Sequence, residues 1–284
     1  MQRKINKYFM GSPAVDGAGV KLIRTFGRNE IPDFDPFLMM DFFDSNNPKD
    51  YIKGFPWHPH RGIETITYLI DGAIEHEDSL GNKGRINAGD CQWMSAGSGI
   101  LHQEMPQSSE QMLGVQIWLN LSKKDKMSEP KYRDITNDMI PVFESKDYRV
   151  HIIAGEFEGL KGELENITTK PSFFDVELNA NSMFEYSLEY DFNAYAFLVR
   201  GEANFDEHNE KMISYPNGVL FTEGDTIKVK TGEEAARFLL LIGKKLNEPV
   251  SWGGPIVMNT KEELDLAFRE IKEETFIKNK WYKN

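Results

Sequence analysis

Two stretches decide the reading of this chain: Gly54-Phe55-Pro56-Trp57-His58-Pro59-His60 and Gly97-Ser98-Gly99-Ile100-Leu101-His102-Gln103-Glu104-Met105-Pro106. The protein has 6 histidines, and His58, His60, His76 and His102 all lie between Gly54 and Pro106. Side chains two apart on a β-strand share a face. His58 and His60 therefore point one way on their strand, and His102 and Glu104 point one way on theirs. If the two strands face each other across a barrel, four ligand groups converge on one point. Imidazole with carboxylate suits Fe, Mn, Ni, Cu or Zn better than Ca or Mg.

Composition narrows the function classes. The 284 residues suffice for two ordinary domains, with 40% hydrophobic and 27% charged residues. Asp and Glu number 45 against 33 Lys and Arg, a net charge of -12. That balance argues against direct nucleic-acid binding, which needs a basic surface, and leaves a basic protein partner open. No apolar run is long enough to span a membrane, and the first residues show no secretory h-region. The single cysteine, Cys91, sits in an apolar run and reads as a small buried hydrophobe in a reducing compartment. A cytoplasmic protein without membrane association is expected.

Short strands broken by turns run along the chain. Pro36 to Phe43 is strongly apolar and reads as a buried strand. Glu64 to Ile70 is β-branched and aromatic, and Asp71-Gly72 is a hairpin signal. Leu113 to Leu121 closes the unit. This spacing predicts an all-β barrel or sandwich. Residues 122–138 are polar and read as a linker, with domains at 1–133 and 134–284. Landmarks then repeat in order. Tyr68-Leu69-Ile70-Asp71-Gly72 is echoed by Phe197-Leu198-Val199-Arg200-Gly201, and Ala88-Gly89-Asp90 by Glu223-Gly224-Asp225. Leu113 to Leu121 is echoed by Phe238 to Leu246. The later copy lacks the His-x-His and His-x-Glu patterns, so its isolated His151 and His208 are not expected to bind metal. Near the end, Thr260-Lys261-Glu262-Glu263 is a capping box opening an amphipathic helix through Leu264, Ala267, Phe268 and Ile271.

The carboxylate of the site is open on spacing alone. Glu64 lies four positions after His60, and a generic cupin pattern would select His58, His60, Glu64 and His102. Glu104 competes from the other strand. Phe55, Trp57, Trp93, Met94 and Met105 flank these residues, either as barrel filling or as an apolar slot for a flat substrate.

Longer motifs carry a resemblance. His58-Pro59-His60-Arg61-Gly62-Ile63-Glu64-Thr65, Gln92-Trp93-Met94-Ser95-Ala96-Gly97-Ser98-Gly99-Ile100-Leu101-His102, Glu104-Met105-Pro106 and Gly254-Pro255-Ile256-Val257-Met258-Asn259-Thr260 resemble the pirin family of bicupins. The resemblance implies two tandem antiparallel barrels with a C-terminal helix and a metal in the first barrel only. It implies His58, His60, His102 and Glu104 as ligands, usually of Fe(II). Glu64 then becomes an acceptor for a ligand imidazole's second N–H. It further implies a quercetin 2,3-dioxygenase-like activity on a small aromatic substrate and O2, and position alone suggests Glu104 or Glu64 to take the substrate proton. The alternative it implies is a redox-sensitive iron protein that binds a transcription factor or a metabolic enzyme.

Overall fold

The computed structural model describes residues 1–164, 169–209 and 211–278. The first part of the chain forms β1 (Ile5–Met10), β2 (Ser12–Asp16), β3 (Val20–Phe26), β4 (Phe37–Ser45), β5 (Phe55–His60), β6 (Ile63–Asp71), β7 (Ala73–Asp78), β8 (Lys83–Asn87), β9 (Cys91–Ser95), β10 (Ile100–Pro106), β11 (Met112–Asn120) and β12 (Lys131–Ile135). The architecture is the expected all-β double cupin with a C-terminal helix.

Contacts divide the chain into two compact units. One comprises Pro13–Arg28, Phe37–Asn137 and Asn247–Asn284, the other Met1–Ser12, Asn29–Pro36 and Asp138–Leu246. These units take segments from both ends of the chain, whereas the division at 1–133 and 134–284 follows chain order. The reason is pairing: β1 lies antiparallel to Asn217–Phe221, and the segment from Asn247 folds onto the loop after β5.

The first unit faces a seven-stranded sheet, ordered β12-β9-β6-β11-β4-β3-β2, with a four-stranded sheet, ordered β5-β10-β7-β8. β4 and β11 are buried along almost their whole length, which is why they read as continuous apolar runs. Each such side chain contributes roughly 1.5–3 kcal/mol of transfer free energy. A polar row nevertheless crosses the large sheet. Arg24 opposes Asp41, Asp41 opposes Gln116, Gln116 opposes Thr67, Thr67 opposes Gln92, and Gln92 opposes Asp134.

The polar stretch 122–138, expected to be a linker, contains β12, which pairs with β9. Its polarity is misleading because Tyr132 and Asp134 find polar partners in His76. Cys91 is fully buried, and desolvation pushes its thiol far above the usual range.

The tail belongs to this first unit. Ser251–Gly253 pairs with Ile256–Met258, and the helix Lys261–Lys272 packs on that hairpin. Thr260 Oγ1 accepts from Glu263 N at 3.2 Å, while Glu263 Oε2 accepts from Thr260 N at 3.0 Å. Ala267 is buried on the packed face, whereas Phe268 remains 42% exposed. Gly62 has φ +76°, and a Cβ there would lie 2.0 Å from Val257 O, so only glycine permits this close approach.

The second unit is built on a sheet containing Tyr148–Ala154, Ser172–Leu178, Ala236–Gly243, Asn193–Arg200 and Asn217–Phe221. Its interior is filled by rings: Phe157, Phe174, Phe184, Phe205, Phe221 and Phe238 form one buried cluster. His151 contacts Glu177 at 3.2 Å, and His208 is exposed.

Candidate metal centre

β5 and β10 run antiparallel, with His102 opposite His58 and Ile100 opposite His60. Residues of the two edge-to-edge strands thereby bring three imidazoles together. Ring centroids lie 4.4 Å apart for His58 and His102, 4.8 Å for His58 and His60, and 5.0 Å for His60 and His102. One nitrogen from each ring lies within 4.8 Å of the others, so the three together could hold a metal ion.

Hydrogen bonding fixes the tautomers. His58 Nδ1 donates to Pro56 O at 2.9 Å, and His60 Nδ1 donates to Pro255 O at 3.1 Å. A carbonyl can only accept, so both Nδ1 atoms carry the proton and both Nε2 atoms present lone pairs. Those two Nε2 atoms are 3.0 Å apart. Two lone pairs facing each other repel, and a cation held between them would relieve that repulsion. The Nε2 of His102 is buried without a hydrogen-bond partner. Burial, then the neighbouring His58, lowers the His60 pKa to about 3, and burial puts His102 well below its usual value. The His60 and His102 rings are therefore neutral at physiological pH, as metal coordination requires. The donor set fits a divalent first-row ion.

Glu104 is buried at 2% exposure in the same barrel but lies outside the three-histidine group. β10 alternates regularly through this stretch, so Glu104 shares the buried face of His102, and its carboxylate is held by side chains of the large sheet. Gln116 Nε2 donates to its two oxygens at 2.9 and 3.1 Å, and Thr67 Oγ1 donates to Oε1 at 3.1 Å. Glu64 does not accept from a ligand imidazole, because backbone carbonyls fill that role. It pairs with Ser95 instead, and burial raises its pKa to about 7.

A cavity of about 640 Å³ borders His58 and His60. Its apolar wall is formed by Met39, Phe55, Trp118 and Trp252. Of the five residues expected to make an apolar slot, only Phe55 lines it. Trp57 alternates away from His58 and is 49% exposed, and Met94 is buried in the sheet. Trp118 stands edge-on to His60 at 5.0 Å and leans on Trp252 at 5.7 Å. Arg24 grips Asp41 through two bonds of 2.8 Å beside this wall.

Sequence reasoning missed Gln116, Thr67 and Pro255. It also missed the cluster of buried His76 with half-buried Tyr132 and Asp134. Tyr132 OH donates to Asp134 Oδ1 at 2.5 Å, and His76 Nε2 lies 3.1 Å from Asp134 Oδ2. The signal for these was the register of the polar row, which no single strand reveals.

Comparison with known proteins agrees with this geometry. Residues 19–119 match the Pirin family model, and residues 173–277 match the Pirin C-terminal cupin domain. A pirin-like protein of Caulobacter vibrioides is 41% identical over 278 residues, covering 96% of this chain and 99% of that one. The crystal structure of a quercetin 2,3-dioxygenase from Acinetobacter baumannii superposes with a TM-score of 0.89 at 28% identity, covering 97% of this chain and 99% of that one. The bacterial pirin YhhW from Escherichia coli, solved in complex with nickel(II), shares the fold at a TM-score of 0.61 and 22% identity, over 86% of this chain and 97% of that one. Matched in both barrels and along nearly its full length, this chain belongs to the pirin family.

Proposed function

We propose that the protein is a metal-dependent dioxygenase acting on flavonols such as quercetin. The observation that carries this reading is the His58–His60 pair, whose Nε2 lone pairs face each other at 3.0 Å beside an aromatic-walled cavity. The likeness to a quercetin 2,3-dioxygenase structure supports it. In this reading His58, His60, His102 and Glu104 hold Fe(II); Ni, Mn, Cu and Zn suit the same donors. The chemistry gained on binding the metal is Lewis acidity toward a substrate hydroxyl and electron transfer with O2.

The chain's own residues do the rest. Phe55, Met39, Trp118 and Trp252 provide flat apolar surface against which a polycyclic ring stacks and from which water is displaced. The carbonyls of Pro56 and Pro255 lock the orientation of two imidazoles. In this reading Glu104, buried in the same barrel as the histidines, takes the hydroxyl proton. Glu64 is the alternative carboxylate for that proton in this reading: one of its oxygens is buried without a partner and burial raises its pKa to about 7.

The test is direct. Protein purified without added metal is assayed for its metal content, then titrated with quercetin anaerobically and in air. The expected results are a spectral shift on binding and oxygen uptake that follows metal content. Neither a shift nor uptake from fully loaded protein would end the oxygenase reading.

A further inference from the structure

Gln116 touches Glu104 and also lines the cavity. It sits in the middle of β11, opposite Asp41 on one side and Thr67 on the other, and is 7% exposed. The two ends of its amide do different things. Nε2 donates to both oxygens of Glu104, at 2.9 and 3.1 Å. With Nε2 bridging both carboxylate oxygens, the amide oxygen faces away from Glu104. That oxygen, Oε1, makes no hydrogen bond to a described residue. It is not among the polar atoms sealed from solvent without a partner.

The orientation is well determined. Thr67 Oγ1 donates to Glu104 Oε1 at 3.1 Å and lies 3.4 Å from Gln116 Nε2. The neighbouring Asp41 is occupied by Arg24 and makes no claim on the amide. Flipping Gln116 would place its carbonyl against a buried carboxylate and leave Glu104 short of donors, which is costly in a low-dielectric interior.

We propose that Gln116 is a positioning and specificity residue: its Nε2 holds Glu104 for the metal centre, while its Oε1 accepts from a protonated hydroxyl of the cavity's occupant. The substrate class follows from the acceptor. It is a flat aromatic bearing, besides the oxygen offered to the metal, a second hydroxyl that keeps its proton. An aromatic with a methyl ether or a carbonyl at that place leaves Oε1 unpaired and is selected against. This deepens the oxygenase reading and rests on it for the ligand, but not for the metal.

The test uses the full chain in two arms. In the first, Co(II) affinity and the visible d–d spectrum are compared in wild type, Gln116→Met and Gln116→Asn, with no substrate present. Methionine matches the length and lacks the amide, and asparagine keeps the amide but draws it back. Both variants are expected to bind Co(II) about tenfold more weakly with an altered spectrum, as loss of an orienting hydrogen bond does. Equal affinity and an identical spectrum overturn the positioning role. Because Gln116→Asn leaves less to misfold, a matching change in both variants excludes collapse of the barrel as the cause.

In the second arm, quercetin and its mono-O-methyl ethers are titrated anaerobically into Co(II)-loaded wild type and Gln116→Met. Wild type is expected to lose about tenfold in affinity for the ether that blocks the hydroxyl facing Oε1, the equivalent of one hydrogen bond. Gln116→Met is expected to bind quercetin more weakly and to show no preference at that position. The same rank order in both proteins overturns the specificity role. If quercetin fails to bind wild type at all, the substrate class and the oxygenase reading fall together, and the first arm still decides the positioning role.

Discussion

Pro255 O receives the Nδ1–H of His60 at 3.1 Å, across 195 positions of sequence. A backbone group from the last part of the chain thus sets the tautomer and tilt of a candidate metal-binding ring. The hairpin that carries Pro255 is held down at several points. Lys126 Nζ donates to Gly62 O, Asn120 Oδ1 and Val257 O at 2.9, 2.7 and 3.0 Å. Arg61 donates to Phe276 O at 2.9 Å, pairs with Glu270 at 2.7 Å and stacks on the Phe276 ring.

Gly62→Ala tests the docking of this hairpin. The new methyl would meet Val257 O at a forbidden distance, in a backbone conformation that disfavours a side chain. The expected loss is about 2 kcal/mol or more of stability, with weaker Co(II) binding because Pro255 moves off His60. Urea unfolding and Co(II) titration on the same preparation check this. Wild-type values in both would show that the hairpin does not constrain the ring.

Lys126→Met removes a buried donor from three oxygens, of which Gly62 O keeps a long bond from Leu121 N at 3.4 Å. Burial lowers the Lys126 pKa to about 7, against the opposing pull of Glu248 and Glu263. The expected cost is about 3 kcal/mol, the scale for leaving buried acceptors unpaired. A change in unfolding free energy below about 1 kcal/mol would mean that water replaces the ammonium.

The histidines divide into two classes. His102→Ala is expected to strip most of the metal, because a buried ring nitrogen with no protein partner is lost from the group of three. His208→Ala is expected to leave metal content unchanged, since that residue is exposed in the second unit. Elemental analysis of both variants decides. Full occupancy in His102→Ala would remove the site from this barrel.

Glu64 gives a pH signature. Burial raises its folded-state pKa from 4.5 to about 7, so the folded protein holds its proton across a range where the unfolded chain releases it. The associated stability is fully present below pH 4.5 and is lost as pH rises through 7. Glu64→Gln, which mimics the protonated form, is therefore expected to match wild type near pH 4.5 and to exceed it by about 3 kcal/mol at pH 8. Urea midpoints of metal-free protein at the two pH values measure the difference. A gain that is the same at both would assign the effect to packing rather than ionisation.

Much of this molecule could be read from its residues. The alternation of faces on one strand pairs His58 with His60, and a second strand supplies His102. The helix start at Thr260 follows from local hydrogen-bonding chemistry. What stayed hidden depends on partners from distant strands. Glu64 satisfies the spacing rule for a shared face with His60, yet Gly62 turns the chain between them, so the two lie on strands of different sheets. Gln116 and Thr67 sit in strands whose apolar neighbours announce only burial. Pro255 acts through its carbonyl, and a carbonyl has no sequence signature. Tyr132 and Asp134 look solvated until His76 is placed beside them.

The late position of Pro255 also sets an order of events during synthesis. A ribosome that has finished the first barrel's strands has already emitted every candidate ligand, but not the carbonyl that aims His60. The nascent centre waits while the whole second barrel is translated, and it gains its final geometry only when the hairpin beyond Leu246 emerges and docks. A product whose translation stops short of that hairpin would lack the carbonyl that aims His60.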